Sequence, residues 1–143
     1  MTDFIDPSVD HGKKPYVVDI EKDTLDNENF RKTIWTGEHL QATLMTIPVG
    51  GDIGLEVHEE NDQFLRLEQG KGRCQMGPAE DDLPFDEEVE DDWAIFVPAG
   101  TWHNVTNIGD EPMKLYAIYG PADHEPGTVH KTQEDAENDP HEH

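Results

Sequence analysis

Short runs in which apolar and polar residues alternate fill the middle of this chain, and nearly every run stops at glycine or proline. Gln41 to Ile47 (QATLMTI) alternates, is rich in β-compatible residues and predicts a strand ended by Pro48. Gln63, Leu65 and Leu67 share one face of a second strand, and Arg73 to Met76 predicts a third between Gly70-Lys71-Gly72 and Gly77-Pro78. Trp93 to Val97 is continuously apolar, as expected of a strand buried on both faces. Trp102 to Asn107 puts His103, Val105 and Asn107 on one face, and Met113 to Tyr119 (MKLYAIY) reads as a closing strand. Many short strands with little helix predict an all-β barrel or sandwich.

The flanks lack this alternation. Residues 1–14 predict a flexible or surface-lying arm, Tyr16 to Ile20 a short edge strand, and Glu21 to Asn29 a turn or one helical turn. The expected organisation is an N-terminal arm over residues 1–29, a barrel over 30–120 and an acidic, histidine-containing tail over 121–143. Thr132 suits the N-cap of a single helical turn, and residues 139–143 are expected to be unstructured. His124, His130, His141 and His143 in that tail are read as solvated rather than as a metal site. His39 is read as surface or cavity wall. Residues 80–92 (EDDLPFDEEVEDD) hold nine acids and no base, with Leu83, Phe85 and Val89 among them. A wide hairpin gripping the barrel edge by those apolar residues fits better than a calcium loop, because the order of carboxylates in an EF-hand is missing.

The candidate chemistry lies in two stretches. In Gly50 to Gly70, Glu56 and His58 stand two apart and so project from one face of an extended segment, and a turn through Glu59, Glu60, Asn61 and Asp62 returns the chain so that Gln63 faces them. In Trp93 to Asn107, the Pro98-Ala99-Gly100 turn leads into His103, a fourth donor. Glu56, His58, Gln63 and His103 are therefore the expected metal ligands, with Glu56 either ligand or catalytic base. Asn107, by parity with His103, faces inward to orient it, to contact substrate or to serve a structural role. Arg31 and Lys32 stand out in an acidic chain, and serve either to meet an anionic substrate group or to neutralise nearby carboxylates.

These two stretches resemble the paired motifs of the cupin superfamily, G-x5-H-x-H-x4-E-x6-G and G-x5-P-x-G-x2-H-x3-N. Gly50, Glu56, His58, Gln63 and Gly70 fall at the spacing of the first, and Asp92, Pro98, Gly100, His103 and Asn107 at that of the second. The resemblance implies a single cupin barrel, a double-stranded β-helix or jelly roll, over about residues 40 to 120. The wording IPVGGDIGLEVH and IFVPAGTWHNV is also similar to small prokaryotic cupins labelled mannose-6-phosphate isomerase-like. Glu56 stands where the family usually has histidine, Gln63 where it has glutamate and Asp92 where it has glycine. The first two departures offset one another, since one anionic and three neutral donors remain and a divalent ion keeps a net charge of about +1. Zinc, iron, manganese and nickel all suit such donors. Three functional classes follow: a metal-dependent sugar or sugar-phosphate isomerase, a non-haem iron dioxygenase using two histidines and one carboxylate, and a cupin that binds a small ligand without chemistry. The isomerase would need a base other than Glu56 if Glu56 is a ligand. For a phosphorylated sugar it would also need cations at the barrel mouth, for which Arg31, Lys32, Arg66 and Arg73 are the candidates, Arg66 pointing away by its parity with Gln63.

Charge narrows the partners. The 143 residues suit one domain, and 33 acids against 10 bases give a formal charge of −23. That charge argues against nucleic acid and anionic membrane, leaving a small-molecule substrate and, by family habit, a second copy in a homodimer. Such a surface suits a salty cytoplasm, because salt screens self-repulsion over a Debye length of about 8 Å at physiological strength. The thermal unfolding midpoint is accordingly expected to rise with KCl concentration, and a midpoint that stays flat in a calorimetric series would refute this adaptation. The lone Cys74 excludes an intrachain disulfide and reads as a small buried residue rather than a nucleophile. Without an apolar segment resembling a signal peptide or a membrane span, the cytoplasm is the expected location.

Overall fold

The computed structural model describes residues 4–142. Its strands are β1 (Arg31–Thr36), β2 (Gln41–Ile47), β3 (Asp62–Gln69), β4 (Lys71–Gly77), β5 (Phe85–Glu90), β6 (Ala94–Val97), β7 (Trp102–Asn107), β8 (Met113–Gly120) and β9 (Val129–His130). They form two antiparallel sheets, one of six strands in the order β6-β3-β8-β2-β1-β9 and one of three in the order β5-β4-β7. The fold is the all-β jelly roll that the resemblance implied. Two short helices, α1 (Ile20–Asp26) and α2 (Gln133–Asn138), complete it. No helix among the described residues is long and apolar enough to cross a membrane.

Alternation does what it predicts on most strands. Leu65 and Leu67 on β3, Met113, Leu115, Ala117 and Tyr119 on β8, and His103, Val105 and Asn107 on β7 all turn inward. The interior divides along its length. Leu65, Leu67, Leu115, Val105 and Cys74 fill an apolar end, whereas Gln41, Thr43, Gln63, Tyr119 and His103 bring polar atoms to the other. Burying those atoms is costly unless each finds a partner, so the polar end is where chemistry is to be sought.

Several expectations need correction. Tyr16 to Asp19 form no strand: Asp19 caps α1 by accepting from the Lys22 backbone N–H, so the helix begins at Ile20 where an edge strand was expected. The described part of residues 1–14 is pinned to the barrel, Ile5 bridging Thr128 and Asp10 accepting from the Thr36 backbone N–H and hydroxyl. β6 is buried on one face only, with Phe96 70% exposed on the outer face. In the acidic hairpin Val89 alone of the three apolar residues is buried. β4 and β5 pair from Lys71↔Glu90 to Met76↔Phe85, so the ladder rather than an apolar grip holds the hairpin.

The largest correction concerns the tail. Residues 121–142 fold back across the polar end of the barrel: β9 pairs with β1, and His124, Thr128, His130 and Asp139 are buried. α2 has the expected cap, Thr132 Oγ1 accepting from the Asp135 backbone N–H, and a 3-10 turn spans Pro140–Glu142. His124 and His130, expected in solvent, are instead interior side chains with carboxylate partners, 2.9 Å to Glu142 and 2.8 Å to Asp139. His143 and the side chain of His141 lie outside the described residues.

Candidate metal centre

The Glu56–His103 pair starts from backbone pairing rather than from a long strand. Residues 52–58 run beside β7 through two isolated bridges, Asp52↔Thr106 and Glu56↔His103. Glu56 and His103 exchange both backbone hydrogen bonds, 3.1 Å and 2.9 Å, which sets the two residues directly opposite each other with their side chains on one face. His58 follows two residues on, and its carbonyl accepts from the Gly100 backbone N–H at 2.8 Å, tying the segment to the Pro98-Ala99-Gly100 turn. One ligand atom from each of Glu56, His58 and His103 lies within 4.8 Å of the others. Glu56 Oε1 is 3.2 Å from His58 Nε2 and 3.8 Å from His103 Nε2.

Each imidazole is oriented from its far side. His103 Nδ1 is 3.0 Å from the Thr101 carbonyl oxygen, so Nδ1–H donates there and Nε2 turns its lone pair toward Glu56. His58 Nδ1 is 3.1 Å from Asp123 Oδ1, which fixes the same tautomer when the ring is neutral. A carboxylate or carbonyl behind the ring is the usual support of a metal-binding histidine, raising its basicity and fixing its angle. Gln63 also points inward, beside Tyr119 in the β3–β8 register, and the Tyr119 ring meets His58 edge-on at 5.8 Å between centroids.

His58 Nε2, His103 Nε2 and Gln63 Oε1 are among the buried atoms that have no hydrogen-bond partner among the described residues. The 3.2 Å contact of His58 with Glu56 is close but not aligned as a hydrogen bond. Leaving a buried acceptor such as His103 Nε2 or Gln63 Oε1 unsatisfied is expensive, on the order of 1–3 kcal/mol each. A divalent ion held by Glu56, His58 and His103 would take up both imidazole Nε2 atoms, so these residues fit the group.

The electrostatics agree with this arrangement. Burial alone would push the Glu56 carboxyl up, yet His58, Arg31 and His103 hold it below the ordinary carboxylate range. Burial also opposes charge on His58, but Asp123 and Glu56 together override it and raise the ring to about 10. In the metal-free protein His58 is thus an imidazolium between two carboxylates, and an ion replaces its proton. Burial depresses His103, keeping that ring a neutral donor.

Other candidates lie elsewhere. Asn107 donates to the Ile47 and Glu111 carbonyls and accepts from the Gly109 backbone N–H, so it ties the turn at the barrel's far end and does not orient His103. His39 is exposed. Cys74 is buried and its thiol is pushed up to about 11 by desolvation, as befits a core residue and not a nucleophile. Arg66 pairs with the covered Glu68 and the exposed Asp92, and Arg73 pairs with Asp86 on the exposed hairpin. Arg31 alone of the four bases is buried against the interior, 3.2 Å from Glu142.

Sequence reasoning missed Asp123 altogether. It precedes His124 in a segment without periodicity, and Gln41 Oε1 positions it by accepting from the backbone N–H groups of both residues. No local signal marks it, because its partner His58 is distant along the chain. Asp123→Asn is expected to weaken metal affinity about 10- to 100-fold without unfolding the protein, as measured by competition with a chromogenic chelator. Unchanged affinity would show that Asp123 does not support the ring.

Comparison with known proteins places this geometry among relatives. The family described as Cupin domain matches residues 43–119. A Bacillus subtilis protein, YrkC, is 56% identical over 127 residues, which is 89% of this chain and 68% of that protein. The crystal structure of BH2720 from Bacillus halodurans is 57% identical with a TM-score of 0.91, covering 92% of this chain and 99% of that one. TT1209 from Thermus thermophilus, 21% identical with a TM-score of 0.62 over 73% of this chain and 96% of that one, shares the fold.

Proposed function

Since this chain belongs to the cupin domain family, whose match spans residues 43–119, we propose that it is a metal-dependent enzyme of the isomerase type acting on a small hydroxy-carbonyl compound. The observation that carries the reading is the convergence of Glu56, His58 and His103 ligand atoms within 4.8 Å at the polar end of the barrel. A divalent ion bound there supplies Lewis acidity, polarising a carbonyl and the hydroxyl beside it.

The chain's own residues supply the rest. With Glu56 engaged as a ligand, moving a proton between adjacent carbons requires another carboxylate, and Asp123 is one. Its Oδ1 faces His58 Nδ1 at 3.1 Å, and the side chain is 24% exposed, so it is not sealed from a small substrate. Its carboxyl stays low, since His58, His124 and Arg31 outweigh the upward push of burial, so it is ionised and able to accept a proton at neutral pH. Tyr119, His58 and the buried wall of the barrel limit water around that position. A phosphorylated sugar is disfavoured, because Arg31 faces this interior without the companions a dianion needs.

The donor set itself favours a second reading. Two histidines and one carboxylate are the set of non-haem iron oxygenases, in which case Asp123 serves as support for His58 and not as a base. The test is elemental analysis of protein purified without a chelating column, followed by two assays on the loaded protein. Incorporation of solvent deuterium into a 2-hydroxy carbonyl substrate supports the isomerase. Oxygen uptake with iron bound and no deuterium incorporation supports the oxygenase, and absence of stoichiometric metal refutes both.

A further inference from the structure

The polar end of the barrel holds a second buried cluster that the metal ligands do not use. Arg31 projects inward from β1, 96% buried by its 4% exposure, and its Nη1 donates to Glu142 Oε1 at 3.2 Å. The same carboxylate is 2.9 Å from His124 Nδ1. One carboxylate is thus cradled by a guanidinium and an imidazole inside the protein. Three further buried atoms around this cradle have no hydrogen-bond partner among the described residues: Arg31 Nε, His124 Nε2 and the Tyr119 hydroxyl. His124 Nε2 comes no nearer to Asp123 Oδ2 than 3.6 Å.

The cradle adjoins the metal ligands through Tyr119. Its ring lies edge-on to His124 at 5.1 Å on one side and to His58 at 5.8 Å on the other. Its hydroxyl feels the charges of Arg31, Glu56, Asp123 and Glu142 together, and burial pushes it up, so it remains a donor at any working pH. The Arg31 charge also reaches Glu56 and Asp123, helping to hold both carboxyls down. Gln41 fixes the His124 side of the cradle, accepting from its backbone N–H and donating to its carbonyl at 2.8 Å.

We propose that Arg31, His124 and Tyr119 form a carboxylate-binding subsite beside the Glu56, His58 and His103 cluster, in which Glu142 is an intramolecular occupant that a small 2-hydroxy or 2-oxo carboxylate displaces. Glu142 shows that the cradle takes a carboxylate, and it leaves two donors over, Arg31 Nε–H and the Tyr119 O–H. A guanidinium offering two N–H groups matches a planar carboxylate in geometry and single charge. This narrowing of the substrate rests on the metal-binding reading for one feature, the 2-oxygen, which the ion would take.

The probe is glycolate, with glycolamide as its uncharged isostere, titrated calorimetrically into zinc-loaded protein and into chelator-treated protein. Glycolate is expected to bind the zinc-loaded protein at least tenfold more tightly than glycolamide. Tyr119→Phe, which removes one oxygen and keeps the ring, is expected to weaken glycolate about five- to tenfold and to leave glycolamide unchanged. Glu142→Gln, which removes the competing charge at constant shape, is expected to tighten glycolate severalfold. Equal affinities for acid and amide, or weaker glycolate binding in Glu142→Gln, would overturn the subsite. If zinc binds stoichiometrically while acid and amide are not distinguished, the subsite falls and the metal reading stands. If no metal binds but the chelator-treated protein still prefers the acid through Tyr119, the metal reading falls and the subsite stands.

Discussion

His103→Ala is expected to reduce bound metal from one equivalent to a trace, measured by elemental analysis of protein passed over a desalting column, with the fold retained. Among the described residues its Nε2 is one of three charged or imidazole ligand atoms that converge there, and the side chain is 1% exposed, so its loss leaves two. The alanine leaves Glu56 and His58 bound to each other and to Asp123, a pairing stable without an ion. Backbone pairing between residues 103 and 56 does not depend on the imidazole, so the barrel closes as before and circular dichroism should match the parent. Metal retained at one equivalent would move the site elsewhere, the acidic hairpin at residues 80–92 being the first place to look.

Asp139→Ala should lower unfolding free energy by about 3 kcal/mol, read from the urea midpoint at constant m. Its carboxylate sits 2.8 Å from His130 Nε2, and both side chains are at 0% exposure. Truncation removes one partner of a buried pair and strands the other, a change worth about 3–5 kcal/mol when both are charged and about 1.5–3 for a hydrogen bond to one charged group. The neighbourhood amplifies the loss, because Arg31 Nη1 lies 3.5 Å from His130 Nδ1 and the cluster depends on its carboxylates. An unstructured tail, by contrast, would give a change within about 0.5 kcal/mol, the range of ordinary surface substitutions. The measurement therefore separates a tail that is part of the domain from one that trails behind it.

The two predictions probe parts of the molecule that differ in legibility. Glu56, His58 and His103 could be read from the chain because short-range geometry governs them: alternation sets the face, glycine and proline set the turns, and fixed spacing sets the register. That Gln63 turns inward was legible for the same reason, one strand across. Strand boundaries on β2 and β7 came out as expected, although β2 is buried on both faces over most of its length and only β7 buries one face in strict alternation. β6 did not, because an apolar run looks alike in a central strand and in an edge strand with its outer face bare. The stretch from Tyr16 to Ile20 misled for a related reason: β-branched residues suggest a strand, but the Asp19 cap commits the chain to helix at Ile20.

By itself the sequence determined an all-β chain with two donor-bearing stretches, because local periodicity and turn chemistry act over a few residues and leave their mark in composition and spacing. Only the tertiary structure decided that the terminal segment closes the polar end of the barrel, that Asp123 stands behind His58, and that Arg31, His124, Tyr119 and Glu142 meet. Those contacts join residues as far apart as Arg31 and Glu142. Electrostatic and hydrogen-bond complementarity between such distant side chains has no period and no preferred spacing, so it becomes visible only when the folded backbone brings the groups within a few ångströms.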